Sequence, residues 1–167
     1  MTGKERVALE AKSKAATLKN MYYARYLLVR YTLPIYFFVN LYWLLILFLS
    51  KSYLALPYPL VLMGAGGLAM LEQGRMYSEE QKPARLTSRF LQLTIISNLV
   101  LMLAVLGGAK SFFYPFVKDT SGTSAILIIF LGLGILLAGL ILAKLRRIDA
   151  KADWQYKRIR QYLSAKS

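Results

Sequence analysis

The chain has 167 residues, 57% of them hydrophobic, and carries 22 Lys and Arg against 8 Asp and Glu for a formal net charge of +14. It has no Cys and no His, which excludes disulfides, thiolate chemistry and any use of imidazole as metal ligand or general base. High hydrophobicity and high charge coexist because they are segregated into blocks, as in membrane helices and their flanks.

Residues 1–32 form a basic arm with seven Lys and Arg. Val7, Ala11, Ala15, Leu18, Tyr22, Tyr26 and Val29 recur at spacings of three and four, which predicts an amphipathic helix. Glu5 and Glu10 come early, where a helix N-terminus favours negative charge. Pro34 predicts a kink or break where this helix meets the first apolar run. No small-residue cleavage site follows that run, so it reads as a retained span.

Four uncharged runs follow, at 33–49, 53–71, 90–109 and 124–143. Each has 17 to 20 residues, enough for a hydrocarbon core of about 30 Å. The second is the weakest. Pro57 and Pro59 do not fit deep in a straight helix, and Pro57 to Leu71 covers only about 22 Å. A re-entrant hairpin is the alternative there. Charge decides for four spans: they put nineteen of the 22 positives on one side, leaving Lys51, Lys110 and Lys118 on the other. By the positive-inside rule both termini are cytosolic. The expected setting is a bacterial plasma membrane, with an endoplasmic reticulum resident as the alternative.

The spans contain no ionisable residue; their polar groups include Asn40, Gln92, Thr94, Ser97 and Asn98. Asn40 and Asn98 lie deepest and read as interhelical hydrogen-bonding groups, between spans or with a partner, with coordination of a polar substrate as the sharper alternative. Gly64, Gly66 and Gly67 cluster in the second span. Ala104–Gly108, Gly134–Ala138 and Gly139–Ala143 are small-xxx-small pairs, which let helices approach closely. These positions are expected to pack the bundle or to meet a partner.

Between the second and third spans, Glu72 stands at a span end, and Glu79 and Glu80 are adjacent in a polar loop. Adjacent side chains point apart, so this pair reads as solvated rather than catalytic. Outside, Phe112 to Phe116 and Tyr58 read as interfacial anchors, with a ligand-binding lip as the lesser reading.

The tail, 144–167, repeats the pattern of the arm. Leu145, Ile148, Ala152, Gln155, Ile159 and Tyr162 alternate with Lys144, Arg146, Arg147, Lys151, Lys157, Arg158 and Arg160. No Gly or Pro intervenes, so the fourth helix is expected to continue to about Leu163, roughly 58 Å in all. Asp153 and Lys157 form an i, i+4 pair.

Three readings compete for the basic segments. They orient the spans and attract anionic lipid, at about 1 kcal/mol per basic residue. Or the apolar stripes dock on each other or on another protein, through Arg146, Arg147, Ile148, Trp154, Arg158, Ile159, Arg160 and Tyr162. Nucleic acid, such as a ribosome, ranks last because no RNA-binding module accompanies the charge.

The sequence thus predicts an all-α polytopic membrane protein. A single membrane domain, 1–167, holds a four-helix transmembrane bundle with basic amphipathic cytosolic helices at both ends. No nucleophile triad, phosphate loop, dinucleotide fingerprint or metal set is legible, so neither enzyme activity nor a cofactor is expected. The expected role is a non-catalytic accessory or scaffold subunit beside a larger membrane complex in transport, secretion, assembly or envelope synthesis. The alternative is a small homo-oligomeric channel or transporter.

Overall fold

A computed structural model describes residues 3–76, 83–118 and 120–164. Glu79 and Glu80 lie outside the described residues, as do the side chains of Val7 and Ala11. The described residues are all-helical: α1 (Gly3–Arg25), α2 (Leu27–Leu49), a 3-10 turn (Tyr53–Ala55), α3 (Pro57–Arg75), α4 (Arg85–Leu106), the short α5 (Lys110–Phe113), α6 (Ser121–Asp149) and α7 (Trp154–Ser164). Four of the helical stretches are long and apolar enough to cross a membrane. Their length and composition suit an integral membrane protein.

α2 packs on α3, α3 on α4 and α4 most extensively on α6. α2 and α6 touch only thinly, so the four long helices leave a gap on that side. α7 turns back and packs on α1. The main core joins Val29, Leu33 and Tyr36 of α2 to Phe90 and Leu91 of α4 and to Ala138, Ile141, Leu145 and Ile148 of α6. Much of the outer surface is large apolar side chains, among them Phe38, Leu45, Leu68, Ile96, Ile129 and Leu136. Such a surface suits lipid rather than water.

The helix boundaries differ from the sequence expectation in three places. First, the break near the N-terminal arm falls at Tyr26, not Pro34, which lies inside α2. Pro34 sits only two turns in, so its missing N–H leaves a single carbonyl, that of Arg30, without its helical donor. The corner comes earlier because Arg25 and Tyr26 are both buried there. Second, α3 begins at Pro57 as its first residue, where the fixed φ and absent N–H of proline suit a helix start. It continues past Leu71 to Arg75, giving about 28 Å of uninterrupted helix.

Third, α6 stops at Asp149 instead of running to Leu163. Lys151 adopts φ 53°. The Lys151 N–H donates to Ile148 O at 3.0 Å and the Ala152 N–H to Arg147 O at 2.9 Å. This 6→1, 5→2 pairing is the Schellman ending, normally made by glycine. α2 ends the same way at Lys51, φ 57°, with the Ser52 N–H donating to Leu47 O at 3.0 Å. α4 uses glycine: Gly108 has φ 85° and the Ala109 N–H reaches Ala104 O at 2.9 Å. Among the described residues, two of the three left-handed positions are therefore lysines, and neither break announces itself by composition.

Candidate functional site

The end of the bundle that carries both termini is held by a clasp centred on Arg25. Its side chain is fully buried, at 0% exposure. Nε donates to Asp153 Oδ2 at 2.9 Å, a terminal nitrogen donates to Asp153 Oδ1, and that nitrogen also reaches the Ile148 carbonyl at 3.1 Å. The guanidinium lies over the Tyr156 ring, 5.1 Å from its centroid. Arg25 therefore meets a carboxylate as a fork and satisfies a carbonyl at the C-terminus of α6, where positive charge is favoured. Asp153 has a second task. Its Oδ2 accepts from the Tyr156 N–H at 3.2 Å, an N-cap for α7. The i, i+4 partnership with Lys157 expected from the sequence is thus replaced by a tertiary pair and a cap.

The clasp puts α7 on α1, and Ile159 is buried there, at 1% exposure. The apolar stripe is used within the molecule: Ile148 and Ile159 are buried and Tyr162 is half-buried, while Ala152 is exposed. Arg146, Arg147, Arg158 and Arg160 remain exposed. Trp154 is 67% exposed, with the Arg158 guanidinium 4.5 Å over its ring. One end of the bundle therefore presents a basic, aromatic-tipped platform whose underside is packed.

A polar seam extends beneath it. Glu72, at the end of α3, caps the start of α4: its carboxylate accepts from the Leu86 N–H at 2.9 Å, the Thr87 N–H at 2.7 Å and the Thr87 hydroxyl at 2.8 Å. Gln73 Nε2 donates to Thr87 Oγ1 at 3.0 Å. Arg30 stacks over Tyr23 at 4.1 Å and donates to the Met76 carbonyl at 3.3 Å. Partial burial raises the pKa of the nearby Asp149 carboxyl; the Arg25 charge opposes the rise and the Glu72 charge adds to it.

At the other end, the loop after α4 folds inward. Trp43 stacks on Tyr114 at 5.4 Å, Tyr58 meets Trp43 and Phe113 edge-on at 5.6 Å each, and the Trp43 indole N–H donates to the Phe113 carbonyl at 3.1 Å. Phe112 and Phe116 are partly exposed, and Phe116 also borders the cleft between α2 and α6. Lys110, one of the three positives on the side with few charges, is buried. It donates to Ser124 Oγ at 3.1 Å and to the Lys118 carbonyl at 3.3 Å.

Between the ends, the gap separating α2 from α6 forms a cleft of about 490 Å³. Both asparagines singled out from the sequence line it, with Tyr36, Thr94 and Gly134. Asn40 Nδ2 donates to the Tyr36 carbonyl of its own helix at 2.8 Å. Asn98 Nδ2 makes only a long approach to the Leu131 carbonyl of α6, 3.5 Å. The short interhelical bond comes from Tyr36, whose hydroxyl donates to the Gly134 carbonyl at 2.6 Å.

The glycines divide by surroundings. A Cβ on Gly134 would stand 2.5 Å from Asn98 Nδ2, and one on Gly66 3.3 Å from the Phe90 ring. Both permit close approach, as does the fully buried Ala138. Gly64, Gly67 and Gly139 have nothing within 4 Å of that position. Gly108 belongs to a helix-ending turn rather than a helix face, so it cannot act as the small-xxx-small partner of Ala104.

Arg25, Asp153 and Lys110 were not legible as site residues. The one signal was scarcity: a chain with eight acids places two of them, Asp149 and Asp153, in its basic tail. Among the described residues no group of three or more His, Cys, Asp or Glu could hold a metal ion. No protein-family profile, curated protein or solved structure matches this chain.

Proposed function

We propose that this chain is a non-catalytic accessory subunit of a larger membrane complex, held in a bacterial plasma membrane with its clasped platform in the cytosol. The observation that carries the reading is the Arg25–Asp153 clasp. A buried ion pair has little value as a membrane anchor, since basic residues near a span end suffice for orientation. Its effect is to hold both terminal arms in one shape. A fixed shape matters for a surface that another protein recognises, because pre-ordering lowers the entropy cost of association. The exposed Arg146, Arg147, Arg158 and Arg160, with Trp154, then face the partner's cytosolic part and the anionic headgroups, which attract cations and interfacial tryptophan.

Orientation follows from charge. Cysteine labels at Ser13 and Arg85 should react from the cytosol, and a label at Ser121 from outside. The role is tested by isolating the protein from its native membrane in mild detergent and measuring the mass of what accompanies it. A defined heteromeric complex that disperses with Ile159→Asp is the expected result. A pure homo-oligomer that conducts ions in liposomes would replace this reading with that of a channel.

A further inference from the structure

The cleft between α2 and α6 holds an unanswered polar group. Asn40 is only 7% exposed and lines the cleft. Its Nδ2 is spent on the Tyr36 carbonyl, and its Oδ1 accepts no hydrogen bond from the described residues. An amide acceptor left unpaired in an apolar setting is unfavourable, the more so within a hydrocarbon layer where water is scarce. The surrounding lining is almost wholly apolar: Val39, Ile46, Leu62, Leu101, Leu131 and Leu137 contribute to it.

Shape narrows the occupant. Along α2 the lining runs from Ile35 to Ile46, about 16 Å at helical rise. At the outer end Tyr114 and Phe116 line it, and Tyr114 is pinned there by its stack on Trp43. The cleft is therefore roofed at one end and open sideways, past the exposed lips Ile35 and Leu133. A transmembrane helix with side chains is about 10–12 Å wide and would have to pass that roof. The volume, by contrast, falls within the range of about 300–1,000 Å³ typical of small-molecule sites.

We infer that the cleft between α2 and α6 is a binding site for a lipophilic alcohol, an apolar chain entering from the bilayer with its hydroxyl donating to Asn40 Oδ1. The Asn98 amide, only loosely held at 3.5 Å from Leu131 O, stands in the same lining to donate to that hydroxyl's oxygen. Donor and acceptor together fit a hydroxyl and do not fit an ether or a plain alkyl chain. The chain is linear or isoprenoid, and the experiment separates the two.

The test uses the full chain in lipid nanodiscs and tritiated probes in matched pairs: hexadecanol and its methyl ether, farnesol and its methyl ether. The expected result is saturable binding of one or both alcohols, at least tenfold tighter than the matching ether, as for loss of about one net hydrogen bond. Asn40→Leu should erase that preference. Leu133→Trp, at an exposed lip and outside the core, should abolish saturable binding with helical content unchanged, which keeps the test decisive if the Asn40 variant fails to fold. Non-saturable uptake, equal binding of alcohol and ether, or undiminished binding by Leu133→Trp would each overturn the inference. So would a photocrosslinker at Leu133 that captures a polypeptide in native membranes and is not displaced by either alcohol.

Discussion

Arg25 and Asp153 stand 128 residues apart in sequence and meet through Nε and Oδ2 at 2.9 Å, with the Arg25 side chain wholly shielded from solvent. That one contact joins the end of α1 to the start of α7 and sets the shape of the basic end of the molecule. Its loss is unequal in the two directions. Arg25→Ala leaves an Asp153 that still caps α7; Asp153→Ala leaves a buried guanidinium without its carboxylate and removes the cap as well. Breaking a buried pair typically costs about 3–5 kcal/mol. Hydrogen exchange across 154–164 should accelerate in both variants, more in Asp153→Ala, while α4 stays protected. Unchanged exchange in Asp153→Ala would mean that α7 is held by packing alone.

Ile159→Asp places a charge on the face of α7 that packs on α1. A desolvated carboxylate cannot be accommodated there at less than several kcal/mol, so α7 should detach instead. A cysteine pair spanning the α1–α7 contact should lose its disulfide cross-linking, and α7 should become open to protease. Membrane insertion should be normal, because the four apolar helices are untouched.

The left-handed helix endings make opposite predictions for glycine. Gly108→Ala forces a Cβ into φ 85°, at a cost of about 1–2 kcal/mol. Lys151→Gly, at φ 53°, removes such a cost and loses part of the gain to unfolded-chain entropy, for a net stabilisation on the order of 0.5–1 kcal/mol. Thermal unfolding in one detergent should show the two midpoints moving in opposite directions.

Gly134→Leu should weaken the α4–α6 contact severely, since even a Cβ there stands 2.5 Å from Asn98 Nδ2. Gly139→Leu has open space and should be mild. Equal behaviour of the two in a helix-association or thermal assay would contradict the packing described. The sequence marked both positions alike, because spacing identifies a small residue without saying which neighbour it faces.

Asp149 gives the pH dependence. Its pKa is raised in the folded protein, so the folded state holds its proton to higher pH than the unfolded chain. The associated stability is fully present below the unfolded carboxyl value of about 4 and is lost as pH rises through the folded value. Asp149→Asn should therefore stabilise the protein modestly at neutral pH and give no advantage in acid. A larger advantage in acid than at pH 7 would reverse the sign and make the Arg25 attraction dominant.

The sequence alone determined that there are four long apolar helices, which ends of them carry charge, and that Asn40, Asn98 and the small residues other than Gly108 lie within them. These are properties of runs and spacings, and a helix keeps its own ledger of hydrogen bonds whatever its neighbours do. It could not locate the break after α6, because a lysine at Lys151 carries no mark of a left-handed turn. The tertiary contacts decided that: with α6 ended at Asp149, Asp153 can reach Arg25, and the guanidinium becomes a second donor to the Ile148 carbonyl, which already accepts from the Lys151 N–H. They also decided that Gly134 faces Asn98 while Gly139 faces open space, and that α2 stands apart from α6. Which helix a face meets depends on the order in which four similar cylinders pack, and that order is set by side chains far apart in the chain.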